Sequence, residues 1–203
     1  MKISKPLLVG ITGGIGSGKS TACRIFSILG VPIYYADDRA KWLMSHDTDL
    51  KQAIISNFGE ESYTADGSLN RAYLASVVFP DEQKVAIING LVHPAVKKDF
   101  EKWVGSQTAP YVLKEAALLF ESGSYQDLDK IINVSAPLKT RITRVMMRDR
   151  HRTEKQIHEI IDKQLSDEEK NPKSDFVIKN ADNKLLIPQV LELHRKLLAA
   201  ASA

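Results

Sequence analysis

The segment GGIGSGKS, from Gly13 to Ser20, has the residue types with which proteins hold a chain of phosphates. It satisfies the pattern G-x-x-x-x-G-K-[ST], in which glycines allow the backbone to curl until successive N–H groups point inward around an anion. Lys19 adds a mobile positive charge for the β- and γ-phosphates, and the Ser20 hydroxyl can ligate Mg²⁺. The predicted nucleotide-binding residues are Gly13, Gly14, Ile15, Gly16, Ser17, Gly18, Lys19, Ser20 and Thr21.

Two adjacent carboxylates, Asp37 and Asp38, follow an apolar run in the stretch IYYADDRAK. A carboxylate at the carboxyl edge of a parallel sheet lies on the side where a phosphate loop also ends, so it can accept the proton of an attacking hydroxyl. One of the two can instead be a helix N-cap, because an apolar helix containing WLM follows at once. The strand pattern does not decide between the two, and Asp37 is our first candidate for the base.

Four arginines after Pro137 recur at i, i+3, i+7 and i+11, a spacing that places them on one stripe of a single helix. They are Arg141, Arg144, Arg148 and Arg152. Like charges on one stripe repel each other, so the arrangement favours an anion that joins them, and planar guanidinium groups suit triphosphate oxygens. We predict a lid that covers the triphosphate. The alternative is a solvated helix face balanced by Asp149 and the acidic residues 167–169.

The elements that must position these residues alternate between strands and helices. Apolar, β-rich runs predict strands at residues 7–12, 31–35, 111–114, 130–134 and 176–179, and a helix at 19–29 is closed by Gly30. Strand, helix and strand within about 30 residues form a βαβ unit. We therefore predict an α/β fold with a parallel five-stranded sheet covered on both faces.

The segment from 39 to 104 has a helical pattern, with Leu50, Ile54 and Phe58 at helical spacing and no predicted strand. An excursion of about 65 residues is too long for a plain crossover, so we expect a small helical lobe beside the sheet. The charged segment after Pro137 predicts two helices with a break near residues 151–153, where Thr153 is a candidate N-cap. A last amphipathic helix is predicted at 184–200.

Composition limits the class of protein. The chain has 203 residues, 43% of them hydrophobic and 26% charged, which suits one globular unit with small appended lobes. Its net charge of +3 fits a protein that handles anions but is far from the strongly basic balance of nucleic-acid binders. The single cysteine, Cys23, favours a reducing, cytoplasmic compartment. The apolar run that Gly10 breaks is too short for a signal sequence or a membrane span.

The sequence also limits the reaction class. A GTPase needs an Asn-Lys-x-Asp element, which KNADN at residues 179–183 does not match, and the transporter signature LSGGQ does not occur. A small phosphoryl-transfer enzyme is therefore the simplest use of the phosphate loop. We expect neither a nucleic acid nor a membrane as a partner, and the oligomeric state stays open.

Eight motifs together resemble the dephospho-CoA kinase family and keep its order along nearly the whole chain. They are GITGGIGSGKST, YYAD, GSLNRAYLASVVF, LVHP, ALLFE, RVMMRD, DKQ and SDFVIKN. The resemblance implies ATP-dependent phosphorylation of the ribose 3′-hydroxyl of dephospho-CoA, the last step of coenzyme A synthesis, with Mg²⁺ and ATP as co-substrate. It also implies a phosphate-loop kinase core (1–38, 106–138 and 174–203), a helical CoA-binding lobe (39–105) and a helical lid (139–173).

The resemblance assigns roles to particular residues. It makes Asp37 the catalytic aspartate, which also contacts the acceptor, and it places further acceptor-binding positions at Arg71 and His93. It makes Arg144 and Arg148 the lid arginines that act in catalysis beside Lys19, with Arg144 also on ATP. For His93 the alternative is a purely structural His-Pro turn before a helix.

The chain departs from the family pattern at two positions. Tyr35 stands where the family usually has an acid, and Ala117 stands where a proline is common before LLFE. The acid upstream of that motif is Glu115, which can organise a metal or can be a strand-end charge. A nucleotide or nucleoside kinase of similar build, and a nucleotide-dependent RNA-binding protein that uses the arginine stripe, are the alternative functions.

Overall fold

The structure is a computed structural model that describes residues 5–202. Its five strands are β1 (Leu7–Thr12), β2 (Ile33–Tyr35), β3 (Tyr111–Glu115), β4 (Lys130–Ser135) and β5 (Phe176–Lys179). All the pairings are parallel, in the order β2-β3-β1-β4-β5. The predicted parallel five-stranded sheet is confirmed.

Nine helices lie among the described residues. They are α1 (Lys19–Ile28), α2 (Ala36–His46), α3 (Thr48–Phe58), α4 (Arg71–Val78), α5 (Glu82–Gly105), α6 (Leu138–Arg148), α7 (Glu154–Ile161), α8 (Asp167–Lys170) and α9 (Leu186–Ala201). Short 3₁₀ turns span Glu60–Ser62, Ser124–Asp127 and Asn171–Lys173. None of the helices in residues 5–202 combines the length and the apolar character that a membrane crossing requires.

The described chain divides into two compact units. The sheet unit contains the residues up to Tyr35 and those from Gln107 onward, and the helical unit contains Ala36–Ser106. The helical unit overlaps the lobe predicted at 39–105, and both the CoA-binding role of that lobe and the separate lid at 139–173 stay predictions.

The sheet unit is built around β1, its central strand. Val9 pairs with Leu113 and Ile11 with Ile132 in the register of the neighbouring strands, and all four side chains are buried. Phe26 packs into the same core from α1. Each such side chain contributes about 1.5–3 kcal/mol when it leaves water, so burial of both faces explains why these strands read as continuous apolar runs.

The turn after α1 explains why β2 begins later than predicted. Gly30 adopts a φ of +84°, and its N–H donates to the Ser27 carbonyl at 3.0 Å. The Val31 N–H then donates back to the Phe26 carbonyl at 3.1 Å, so Val31 still belongs to the helix end. Regular pairing starts only at Ile33.

The helical unit contains α2 to α5 and, apart from one isolated bridge between Tyr63 and Leu69, no β pairing among the described residues. Helices α3 and α4 begin at side-chain caps: Asp47 accepts from the Leu50 N–H at 2.9 Å, and Asn70 accepts from the Tyr73 N–H at 3.2 Å. Arg39 on α2 donates two hydrogen bonds, of 2.9 and 2.6 Å, to the Asp99 carboxylate on α5. This forked pair fastens the first and last helices of the unit together.

Candidate active site

The phosphate loop connects the end of β1 to the start of α1. Gly16 and Gly18 have φ values of +78° and +94°, a region that favours glycine. A Cβ atom at Gly16 would collide with the Arg141 carbonyl oxygen, and one at Gly18 would collide with the Asn180 side-chain amide. Among residues 5–202, no acceptor contacts the N–H group of either glycine. The loop therefore offers backbone donors at the positive end of a helix, as an anion site requires.

Side chains from later elements hold the outside of this loop. The Ile15 N–H donates to Gln164 Oε1 at 2.8 Å, and Arg141 Nε donates to the Ile15 carbonyl at 3.0 Å. Asn180 Nδ2 donates to the Ser17 carbonyl at 2.8 Å. Sequence reasoning assigned no role to Gln164 or Asn180, although both end motifs that carry the family resemblance, DKQ and SDFVIKN.

Lys19 is the first residue of α1, and its ammonium group forms an ion pair with the Glu115 carboxylate at the end of β3. The two side chains are only 12% and 9% exposed, so each keeps the other from being an unpaired buried charge. Glu115 is thus a strand-end acid that faces the phosphate-loop lysine. The Glu115 carboxylate therefore contacts the ammonium group that we predict to bind the β- and γ-phosphates.

Ser20 and Thr21 lie exposed on the first turn of α1. No group of three or more histidine, cysteine, aspartate or glutamate side chains within residues 5–202 could hold a metal ion. A hydroxyl at the helix start is nevertheless the donor that suits Mg²⁺ carried in by a nucleotide, since Mg²⁺ keeps several waters and needs few protein ligands. The residues present therefore fit a metal that arrives with ATP.

Asp37 and Asp38 lie in the first turn of α2, which begins at Ala36. The prediction that one of them is a helix N-cap is wrong, because a cap precedes the helix and both aspartates are already inside it. Asp38 accepts from Lys41 Nζ at 2.9 Å on the exposed helix surface. Asp37 is also exposed and follows β2 by two residues. The sheet partner of Tyr35, the last residue of β2, is Glu115.

The four arginines do not form one stripe, because α6 ends at Arg148 and Arg152 lies beyond the helix. The predicted single stripe is therefore wrong. Arg141 is buried against the phosphate loop, so its charge already has a structural use. The helix stops at Asp149, whose carboxylate accepts two hydrogen bonds from Arg148, and these bonds lower the pKa of Asp149.

Arg144 lies on α6, where its side chain contacts the segment that holds the phosphate loop, and its role in a lid stays a prediction. Its Nη1 donates to the Asn180 carbonyl at 3.2 Å, and its Nη2 lies 3.7 Å from the Asp182 carboxylate. Asn180 in turn contacts the Ser17 carbonyl.

Thr153, the predicted N-cap, precedes α7 and forms a complete capping box with Gln156.

Arg71 and His93, the predicted acceptor-binding residues, lie exposed on helices of the second unit. Arg71 is the first residue of α4, and His93 lies in the middle of α5. The His-Pro turn interpretation is wrong, because Pro94 is inside the 24-residue helix. Pro94 has no N–H, so it cannot form the helical hydrogen bond to the carbonyl of Gly90.

Cys23 lies buried on α1, one turn after Lys19. Burial raises the pKa of its thiol to about 12, an effect that the nearby Lys19 charge only partly offsets. The group is therefore a neutral thiol at physiological pH and acts as a small core residue.

Comparisons with known proteins identify the family that the chain resembles in sequence and in fold. The family model for dephospho-CoA kinase matches residues 7–185. The chain is 39% identical to a dephospho-CoA kinase of Bacteroides fragilis over 186 residues, which cover 91% of this chain and 90% of the relative. It is similar in structure to a protein from Thermus thermophilus (TM-score 0.82, 28% identity, 97% and 98% of the two chains). It is also similar to a dephospho-CoA kinase from Campylobacter jejuni (TM-score 0.70, 26% identity, 95% and 98%).

Proposed function

The chain belongs to the dephospho-CoA kinase family of ATP-dependent kinases, and we propose that Asp37 accepts the proton of the attacking hydroxyl in its reaction. The reaction transfers the γ-phosphoryl group of ATP to the ribose 3′-hydroxyl of dephospho-CoA and yields coenzyme A and ADP. The bond from the γ-phosphorus to the β,γ-bridging oxygen breaks as the bond to the 3′-oxygen forms.

The observation that carries the proposed phosphoryl transfer from ATP is the phosphate loop itself. Its Gly16 and Gly18 N–H groups have no acceptor in the described part of the chain, and α1 begins directly behind them. The β- and γ-phosphates bind there, with Lys19 moving from Glu115 toward their oxygens. The exchange is favourable because the phosphates replace one anionic partner of the lysine with another.

The Ser20 hydroxyl would hold the Mg²⁺ ion that accompanies ATP. When bound, this ion neutralises charge on the phosphate oxygens as the phosphoryl group leaves. The Glu115 carboxylate holds the Lys19 ammonium group beside the loop until the phosphates bind.

Asp37 is the candidate base because it is a solvent-accessible carboxylate two residues past a strand whose end pairs with Glu115. A carboxylate that accepts the 3′-hydroxyl proton raises the nucleophilicity of that oxygen and orients it toward the γ-phosphorus. Arg71 and His93, exposed on the helical unit, bind the anionic acceptor. Arg144 and Arg148 stabilise the charge of the transferring group.

The alternative of an RNA-binding protein depended on a continuous arginine stripe. Since Arg152 lies outside α6 and Arg141 is buried, the structure removes the feature that supported it. We infer a cytoplasmic enzyme, because its cysteine is a buried thiol and ATP is abundant in that compartment.

A coupled assay of ADP release tests the function. Dephospho-CoA is expected to give turnover, while nucleosides and nucleoside monophosphates give at least a hundredfold less, because their binding cannot draw on the pantetheine arm of the acceptor. Coenzyme A, whose 3′-oxygen is already phosphorylated, is the matched control acceptor. Equal turnover with a nucleoside monophosphate would contradict the assignment.

A further inference from the structure

The peptide groups on both sides of Ile15, in the middle of the phosphate loop, are held by side chains. Gln164 Oε1 accepts from the Ile15 N–H at 2.8 Å, and Arg141 Nε donates to the Ile15 carbonyl at 3.0 Å. Both bonds are partly buried, where an unmade hydrogen bond costs more than at the surface. The orientation of the loop backbone at Ile15 therefore depends on two side chains from outside the loop.

Gln164 comes from the segment between α7 and α8, which is itself fastened to the core. The N–H of the next residue, Leu165, donates to Glu121 Oε1 at 2.8 Å. Lys170, which is fully buried on α8, lies 3.0 Å from the same oxygen. A buried ion pair is costly to separate, so Glu121 holds residues 164 and 165 at a defined distance from the loop.

Arg141 and an internal hydrogen bond also restrict the phosphate loop. A Cβ atom at Gly14 would collide with the Arg141 guanidinium group, so the Arg141 side chain lies directly against the loop backbone. The N–H of Ser17 is already used within the loop, where it donates to the Gly14 carbonyl at 3.0 Å. The N–H groups of Ile15 and Ser17 are thus both bonded within the protein. The N–H groups of Gly16 and Gly18 remain for the phosphates.

We propose that Gln164 is a positioning residue for phosphoryl transfer, which acts through the Ile15 peptide. By accepting the Ile15 N–H, it keeps this donor turned out of the phosphate site and fixes the rotation of the peptide that follows. The Gly16 N–H then points at the nucleotide. This proposal rests on the proposed function for the identity of the reaction, but the contact that it invokes lies wholly within the sheet unit and concerns the nucleotide.

The opposite role for the same contact is that the Gln164 side chain occupies part of the nucleotide site while no nucleotide is bound. If the Gln164 amide oxygen occupies the place of a phosphate oxygen, ATP must displace it, and its removal should strengthen nucleotide binding. If Gln164 positions the loop, its removal should weaken nucleotide binding. The sign of the effect on nucleotide affinity separates the two.

The test compares Gln164→Leu, which has no acceptor, with Gln164→Glu, which keeps one at the same place. Gln126→Leu, at an exposed glutamine of the same unit, is the matched control. The readouts are kcat/KM for each substrate, ADP affinity by titration calorimetry, and the hydrogen-exchange rate of the Ile15 amide by NMR. The last two need no acceptor substrate, so they remain informative even if dephospho-CoA is not the substrate.

For Gln164→Leu we expect kcat/KM for ATP to fall about tenfold, as for loss of one partly buried hydrogen bond, with KM for dephospho-CoA unchanged. ADP affinity should fall with it, and the Ile15 amide should exchange at least about tenfold faster. Gln164→Glu should restore slow exchange at Ile15. Gln126→Leu should change none of these quantities.

An unchanged Ile15 exchange rate, a gain in ADP affinity, or an equal loss for both substrates would each overturn the proposal. If Gln164→Leu does not fold, Gln164→Asn replaces it, because shortening the side chain by one methylene moves the acceptor away with little change in polarity. The same three outcomes then apply to that variant.

Discussion

The phosphate-loop region and the helical unit hold their candidate functional residues in opposite ways. Lys19 is almost buried and paired, and the loop around it is held by side chains of three later segments. Asp37, Arg71 and His93 lie exposed on helix surfaces. The nucleotide side is thus organised before any ligand binds, whereas the acceptor side is a set of accessible side chains. Substitutions should therefore cost more stability on the first side than on the second.

Lys19→Ala is the substitution that we expect to have the largest effect. Turnover should fall at least a hundredfold, because the transferring group loses a positive charge worth about 3 kcal/mol or more in electrostatic stabilisation. The variant should also be less stable, since it leaves the Glu115 carboxylate buried without its partner. ADP release and thermal unfolding measure the two effects.

The double variant Lys19→Ala, Glu115→Gln is the matched control for the stability effect. It removes both charges of the pair, so thermal stability should largely return while turnover stays low. Lys41→Ala, on the exposed surface of α2, should leave turnover unchanged. Normal turnover in a folded Lys19→Ala enzyme would refute the phosphate-loop assignment.

Asp37→Asn tests the acceptor side. Asparagine keeps the shape but not the charge that accepts a proton, so turnover should fall about a hundredfold or more. ATP affinity and thermal unfolding should remain near those of the parent, because the residue is exposed. A loss of turnover in Asp38→Asn instead of Asp37→Asn would reverse the assignment.

Alanine substitutions at two glycines, one in the phosphate loop and one in the helical unit, test how strongly each backbone depends on glycine. Gly18→Ala places a side chain at a φ of +94° and against Asn180, so it should destabilise the protein by about 1–2 kcal/mol and weaken ATP binding. Gly90→Ala, inside α5, meets no atom within 4 Å and should stabilise the protein by about 0.5–1 kcal/mol. Thermal unfolding of both variants checks the opposite signs.

Arg144→Ala should weaken the use of ATP about tenfold in kcat/KM, with a smaller effect on dephospho-CoA. Arg144 also donates to the Asn180 carbonyl, so part of the loss should come from the loop support. Arg148→Ala tests the phosphate role with less structural effect, since Arg148 contacts only the neighbouring Asp149 among the bonds that we describe. Equal losses for both substrates in both variants would count against a lid.

The sheet was predictable because its signals are local. The strands at 7–12 and 176–179 have the predicted bounds, since a buried parallel strand is a continuous apolar run that ends where the chain turns. The phosphate loop was predictable for a similar reason, because only glycine tolerates the backbone of Gly16 and Gly18.

Features that depend on distant contacts were not predictable. The arginine stripe assumed one helix through residues 149–152, but α6 ends at Arg148 and the backbone of Asp149 is no longer helical. The role of Gln164 requires a contact with Ile15, 149 residues earlier, and no local pattern reports such a distance. Likewise, the polar pattern of α2 did not show that the helix begins one residue before Asp37.

Asp38→Ala should have the smallest effect. Because Asp38 lies inside the first turn of α2, its substitution removes no N-cap, whose loss would cost about 1 kcal/mol. What is lost is an exposed pair with Lys41 and a favourable charge near the positive end of the helix, together roughly 0.5 kcal/mol at low salt. The loss should shrink as salt rises, because both interactions are screened. Thermal unfolding of Asp38→Ala and of Asp38→Asn at low and high salt measures this, and a salt-independent loss of about 1 kcal/mol in Asp38→Ala alone would show that Asp38 caps the helix after all.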